Sequence, residues 1–254
     1  MTVAEGVSPR FEIGRVASRT FGVIGRNVVV FALLAVVLAG VPQAISRYFA
    51  QTAVLGGGFG AGLISFCAGL VGFVALSVLQ AALIHGTIAD LNGRRANFND
   101  CLSTGLKFLL PVIGISILTG IAVAIGFVLL IVPGVLLALA WCVNVPVVVV
   151  ERKEVLAAFG RSAELTRNHR GAIFVLAIAY VLVVWAVDAV GLAVTGGINL
   201  TVLSGSFNGA QWAVLTVLQV AQSLLGAAGI AAIYYELRSI KEGIGPEALA
   251  SVFD

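Results

Sequence analysis

Residues 108–150 carry no charged side chain at all, and this run limits the folds open to the chain more than any other feature. It is about twice the roughly 20 apolar residues that one helix needs to cross a bilayer. Similar runs lie between Arg26 and Arg47, from Tyr48 to Ala89, and from Gly171 to Tyr235, where Asp188 is the single interruption. Charged residues make up 11% of the chain, against about 25% in a soluble domain, whose surface must face water. A soluble enzyme, a nucleic-acid module and a disordered tail are excluded on that ground. The pI near 9.0 does not restore nucleic-acid binding, because a net charge of +3 is small. The chain reads as an all-α polytopic membrane protein.

Glycine and proline divide the runs into spans. The first is expected at about residues 28–45. The glycine-rich stretch Leu55–Gly62 delays the second to about 61–89. The long run splits at Val132-Pro133-Gly134, giving spans at about 108–131 and 135–150, with Pro133 and Gly134 as the structural turn and Pro146 distorting the fourth helix near its inner end. The last two are expected at about 171–194 and 210–235. Fourteen of the 15 basic residues then fall before span one, between spans two and three, between four and five, or after six. The alternate loops hold only Arg47. By the positive-inside rule both termini are cytoplasmic. Scarce lysine (Lys107, Lys153, Lys241) beside abundant Arg, Ala, Val and Gly suits a bacterium with a GC-rich genome. A competing reading takes the basic start and Val28–Gly40 as a secretory signal; the leader is long for that, and its arginines are spread out.

The basic segments read as helices lying on the membrane, at about 10–26, 97–107 and 153–168. In the first, Arg15, Arg19 and Arg26 share one helical face and Ile13, Val16, Ala17, Thr20 and Ile24 the opposite one. In the third, Val155, Leu156, Phe159 and Ala163 face away from Lys153, Arg161, Glu164 and Asn168. Such helices set arginines against anionic headgroups. Registers beginning at Phe11, Phe98 and Val155 each precede an odd-numbered span, with a small residue seven positions on (Ser18, Gly105, Ser162). This suggests a threefold repeat of interfacial helix plus membrane hairpin.

Pro133-Gly134, Trp141, Pro146, Glu151, Ala158, Arg161-Ser162, Glu164-Leu165-Thr166 and Arg170 together resemble the membrane domain associated with some bacterial glycerophosphodiester phosphodiesterases and with the YciC-like uncharacterised integral membrane proteins. The likeness is specific over these roughly forty residues; Phe11-Glu-Ile-Gly-Arg agrees more loosely, and the other spans match in hydropathy alone. It implies a six-helix inner-membrane domain and no settled activity. No polar segment in this sequence is long enough to hold the soluble phosphodiesterase domain.

Two roles are open for the charges around span four. Glu151 can accept hydrogen bonds from an arginine and fix the bend out of the bilayer. Alternatively Glu151, Arg161, Ser162 and Arg167, with Arg15 and Arg19, bind headgroups. Within the spans, Asp188 lies near the outer headgroups, His85 near the inner end of span two, and Gln80, Asn144, Gln211, Gln219 and Gln222 suit interhelical hydrogen bonds. Small residues in span six (Ser223, Ala227, Ala231) and span three (Gly114, Gly120, Gly126) suit close packing. Cys67, Cys101 and Cys142 are isolated and read as small hydrophobes. No His-Glu-x-x-His, Gly-x-Ser-x-Gly or phosphate loop occurs, so no catalytic, metal or cofactor site is expected. The expected function is a non-enzymatic module binding anionic lipids, with a partner membrane protein or a second copy of the chain as further candidates for association. A small permease or lipid transporter, with Asp188, Gln219 and Gln222 lining a cavity, and an intramembrane enzyme of glycerolipid metabolism are the alternatives.

Overall fold

The computed structural model of the protein describes residues 11–42, 44–46, 49, 59–194 and 209–243, and the regular structure among them is helical. Helix α1 covers Ile13–Arg26, and α2 covers Val28–Ala35 and runs on through a π turn at Val36–Gly40. Then come α3 (Phe59–Leu91), α4 (Phe98–Lys107), α5 (Leu109–Leu129), α6 (Ile131–Ala140) and α7 (Asn144–Glu151). The order ends with α8 (Val155–Thr166), α9 (Arg170–Val194) and α10 (Gly209–Glu242). Six helical segments are long and apolar enough to cross a membrane: Val28–Ser46, Gly62–Leu91, Leu109–Leu129, Ile131–Glu151, Arg170–Val194 and Ala213–Glu242. That is the pattern of a multi-pass membrane protein. Arg10, Arg47, and the glycine-rich stretches at 55–58 and 195–208 lie outside the described residues.

Among the described residues the two buried clusters lie mainly toward one end of the bundle, where odd-numbered spans begin and even-numbered spans finish. One buried cluster joins Ile84, Val112, Ile115, Val147, Leu165, Ile173, Tyr234 and Leu237; a second joins Val23, Phe31, Leu34, Leu79, Leu83, Cys101 and Ala227. The three short helices belong to this end, and each leans on an even-numbered span: α1 on α10, α4 on α3, α8 on α7. Small residues permit the approach. A Cβ on Gly105 would lie 2.6 Å from the Val78 carbonyl oxygen, and the Ser162 hydroxyl donates to the Ala140 carbonyl at 2.9 Å. Ser18 is exposed instead; its hydroxyl turns back to the Arg15 carbonyl.

The chain turns at Leu130, alone extended (φ −163°) between α5 and α6, and not at Pro133-Gly134. Proline is tolerated in a helix's first turn, where its missing N–H would have had no acceptor, so Pro133 sits inside α6. Gly134 marks the close approach just after the turn: a Cβ there would be 2.8 Å from the Phe127 nitrogen, and one on Gly126 would be 2.9 Å from the Gly134 Cα. Of the other glycines in span three, Gly114 and Gly120 have no such close neighbour. The fourth span is broken at Trp141–Val143. Pro146, four residues beyond Cys142, has no N–H to offer that carbonyl, and just after the break the Asn144 amide ties the span to α5 by donating to the Thr119 hydroxyl. The sixth span's helix runs to Glu242, past the expected Tyr235, since no breaker precedes Gly243 (φ +65°).

The buried face of α1 overlaps the expected one at Val16 and Thr20, whereas that of α8 differs from it. In α1, Val16, Thr20 and Val23 are buried and Arg15 and Arg19 flank that face, while Ile13 is partly exposed. In α8, Ala158, Ser162, Leu165 and Thr166 are buried, while Leu156 is 77% exposed. Beside a membrane bundle, small and hydroxyl side chains make the tight contacts and large apolar ones can face lipid. Gly105→Ala is expected to lower the unfolding midpoint in detergent, since overpacking costs about 1–3 kcal/mol. Gly120→Ala, whose new Cβ meets nothing within 4 Å, should leave the midpoint unchanged or raise it. Equal midpoints for the two variants would refute the close α3–α4 crossing.

Candidate functional site

At the packed end every even-numbered span finishes with a carboxylate turned inward. Asp90 closes α3, Glu151 closes α7, and Glu236 lies near the end of α10, with side-chain exposures of 5, 10 and 0%. Each meets arginine from a short helix. Arg15 and Arg19 of α1 both bond to Glu236, Arg15 at 2.9 Å, and Arg19 also lies over the Tyr235 ring, 5.0 Å from its centroid. Arg26 donates to Asp90. Arg161 of α8 donates to Glu151 at 3.1 Å, to Glu164 at 3.2 Å and to Glu242, and the Tyr234 hydroxyl adds a bond to Glu151 at 3.1 Å. Asn27, at the corner between α1 and α2, donates to Asp90 at 2.7 Å and accepts from the Ala96 nitrogen at 3.1 Å.

These contacts decide which of the sequence candidates are free to bind anything. Arg15, Arg19 and Arg161 are neutralised within the chain, Ser162 is buried with its hydroxyl on Ala140, and Glu151 is already occupied. The six candidates therefore do not converge on one headgroup site. Among the described residues Arg167 makes no ion pair, but it stands apart from the others on the exposed end of α8. Glu236 and Asn27 escaped sequence reasoning because their partners lie far away along the chain. A signal for Glu236 was nevertheless present: nothing between Tyr235 and Gly243 stops the helix, which extends its buried face by one turn.

Four other cations without a carboxylate partner gather elsewhere. Arg94, Arg95, Lys107 and Arg152 line a cleft of about 680 Å³ between the ends of α3 and α7 and the helix α4. All four are exposed, and none makes an ion pair among the described residues. Ile88, Phe108, Val149 and Val150 form its apolar floor, and Asp100 is its single carboxylate. Arg152 is held in the left-handed region (φ 54°, ψ 33°), where a side chain costs about 1–2 kcal/mol relative to the right-handed form. Glu151 turns inward to Arg161 and Tyr234, and the reversal at the next residue takes Arg152 to the cleft. Cys101, on the cleft wall, is buried, and burial pushes its thiol up to about 11, so it stays protonated and inert near neutral pH.

The intramembrane candidates fall on a different seam. The Gln222 amide donates to Asp188 at 2.7 Å, and the Tyr180 hydroxyl donates to the Gln222 carbonyl at 3.3 Å, joining α9 to α10. Gln219 lies one turn before Ser223 and accepts its hydroxyl through the backbone. Among the described residues no three His, Cys, Asp or Glu side chains are grouped to hold a metal ion. The chain matches no protein-family model, no curated protein and no solved structure.

Removing both arginines from Glu236 (Arg15→Ala with Arg19→Ala) would leave a fully buried carboxylate uncompensated, an expected loss of about 3–5 kcal/mol. Glu236→Gln should cost less, because the two arginines it releases are partly exposed (37 and 20%) and can turn to water. Unfolding in detergent measures both; a double-arginine variant as stable as the parent would contradict the lock.

Proposed function

We propose that the chain is a non-enzymatic module of a bacterial inner membrane that holds anionic lipid headgroups at its cytoplasmic face. The observation that carries this is the cleft lined by four cations that make no ion pair among the described residues, above an apolar floor, whereas Arg15, Arg19, Arg26 and Arg161 are locked to carboxylates. Guanidinium groups bind phosphate through paired hydrogen bonds, and the floor suits the first part of a lipid's glycerol and acyl chains. The orientation rests on the positive-inside rule: the basic segments of the sequence are the ones that meet at the packed end. In this orientation α1, α4 and α8 lie at the inner headgroup level. Their common habit of leaning on an even-numbered span supports the threefold repeat, with Gly105 and Ser162 as equivalent contacts and Ser18 as the divergent member.

Kinship with the phosphodiesterase-associated and YciC-like membrane domains remains part of the proposal, supported by the Pro133–Arg170 motif. In that motif Gly134 permits the close approach of α5 and α6, Pro146 follows the break in span four, and Glu151, Arg161 and Ser162 make the contacts that hold α8. A lipid-transporting role is the second reading, favoured by the polar seam of Tyr180, Gln222 and Asp188 within the spans.

The test is retention of phosphatidylglycerol by the purified full chain, read by native mass spectrometry after exchange from mixed micelles. Arg94→Ala combined with Arg95→Ala should lower retention at least about tenfold, since charge-assisted hydrogen bonds contribute about 1.5–3 kcal/mol each. Arg152→Gly separates binding from folding. Glycine favours a positive φ, so this variant should be at least as stable as the parent and still lose lipid. Undiminished retention in both variants would overturn the proposal.

A further inference from the structure

A second cleft opens at a different depth. It measures about 230 Å³ and lies between α3, α9 and α10, walled by Leu76, Leu79, Leu83 and Ile230 with Gln80 and Tyr180 facing across it. Gln80 precedes Asp90 by ten residues, or about 15 Å at 1.5 Å per residue, and Tyr180 follows Arg170 by the same interval. Both therefore lie near the middle of a hydrocarbon core about 30 Å thick. Helix α9 packs more closely on α10 and α6 than on α3, and the cleft opens through the gap left between α3 and α9. Gly226 makes room for the phenol: a Cβ there would come 2.8 Å from the Tyr180 oxygen.

The hydrogen-bond inventory of this cleft is unbalanced. The Tyr180 proton goes to the Gln222 carbonyl, the Ser223 proton to the Gln219 carbonyl, and the Gln222 amide to Asp188. Both hydroxyl oxygens keep the capacity to accept. Gln80 makes no hydrogen bond among the described residues, so its amide has donors and an acceptor both unfilled. At mid-membrane no water is at hand to fill them, and an unsatisfied amide is unfavourable there by several kcal/mol. A carbonyl ligand would satisfy the Gln80 donors and leave every acceptor empty. A hydroxyl can accept from the amide nitrogen and donate to the amide, Tyr180 or Ser223 oxygen. Among the described residues no charged side chain lines the cleft, which disfavours an ionised headgroup, and an uncharged lipid reaches this depth because no charge anchors it at the interface.

We propose that the cleft between α3, α9 and α10 is a binding site for an uncharged lipid alcohol, whose hydroxyl pairs with the Gln80 amide while its chains lie between α3 and α9. This site is separate from the basic cleft and does not depend on it.

The full chain, in nanodiscs of phosphatidylcholine, is loaded in parallel with diacylglycerol, with a polyprenol, and with the methyl ether of each. Lipid retained after extraction is read by native mass spectrometry. Retention of either alcohol at least about fivefold above its ether is expected, the loss of one satisfied hydrogen-bonding pair being worth that much or more. Preference for diacylglycerol identifies a glycerolipid, and preference for the polyprenol an isoprenoid. Gln80→Leu should abolish the preference while keeping or raising the unfolding midpoint, because it removes an unsatisfied group. Ile230→Phe, which fills the cleft, should remove retention by bulk alone and serves if Gln80→Leu fails to fold. Arg94→Ala should leave alcohol retention intact. Equal retention of alcohols and ethers, or a Gln80→Leu chain that still prefers the alcohol, overturns the proposal.

Discussion

Asp90, Glu151 and Glu236 each bring a negative charge out of water at the end of a span, and each does so against an arginine carried by a short helix. Within lipid there is no hydrophobic force to draw one apolar helix toward another, since acyl chains solvate leucine as well as leucine does. Cohesion must come from close packing and from polar contacts that have no alternative partner. The carboxylates supply the second kind, and they lie beside the two buried clusters described above. A carboxylate that loses its arginine remains buried, whereas an arginine that loses its carboxylate can turn outward. This asymmetry makes the acidic member of each pair the one that fixes the arrangement.

The same contacts sort the cations into two groups. Arg15, Arg19, Arg26 and Arg161 are held by acidic side chains of the chain itself and organise the helices around them. Arg94, Arg95, Lys107 and Arg152 have no such partner and open onto a cleft with an apolar floor. The division cannot be guessed from charge, since both groups flank spans and both obey the positive-inside pattern. It follows from where acidic residues are spaced along three helices that meet only in the folded chain.

The existence of six spans was legible because uncharged length is a direct physical requirement for crossing a bilayer. Boundaries were less so. Pro133 was expected to break the chain, yet a proline within a helix's first turn breaks nothing, and the reversal fell to Leu130, a residue with no turn signature of its own. The face of α8 is missed for a related reason. Hydropathy marks the side that avoids water, but beside a membrane both lipid and protein answer that description. Leu156 faces out, while Ala158 and Ser162 make the contact. Glu236 and Asn27 were out of reach of any local pattern, Glu236 because its arginines lie more than two hundred positions away. Arg161 and Glu151, ten residues apart, were within reach.

The reversal between α5 and α6 has a consequence for how the molecule sits in its membrane. Val128, Leu129, Leu130, Ile131 and Val132 are 67–87% exposed, and among the described residues nothing polar caps the point where the two arms join. Each arm has 21 residues, about 31 Å at 1.5 Å per residue, hardly more than the thickness of the hydrocarbon itself. By contrast the 30-residue segments Gly62–Leu91 and Ala213–Glu242 are long enough to lean. The greasy hairpin thus acts as a plumb line: in a thinner bilayer its point would be wetted, in a thicker one its charged base would be drawn down, and the tilted helices around it absorb the difference.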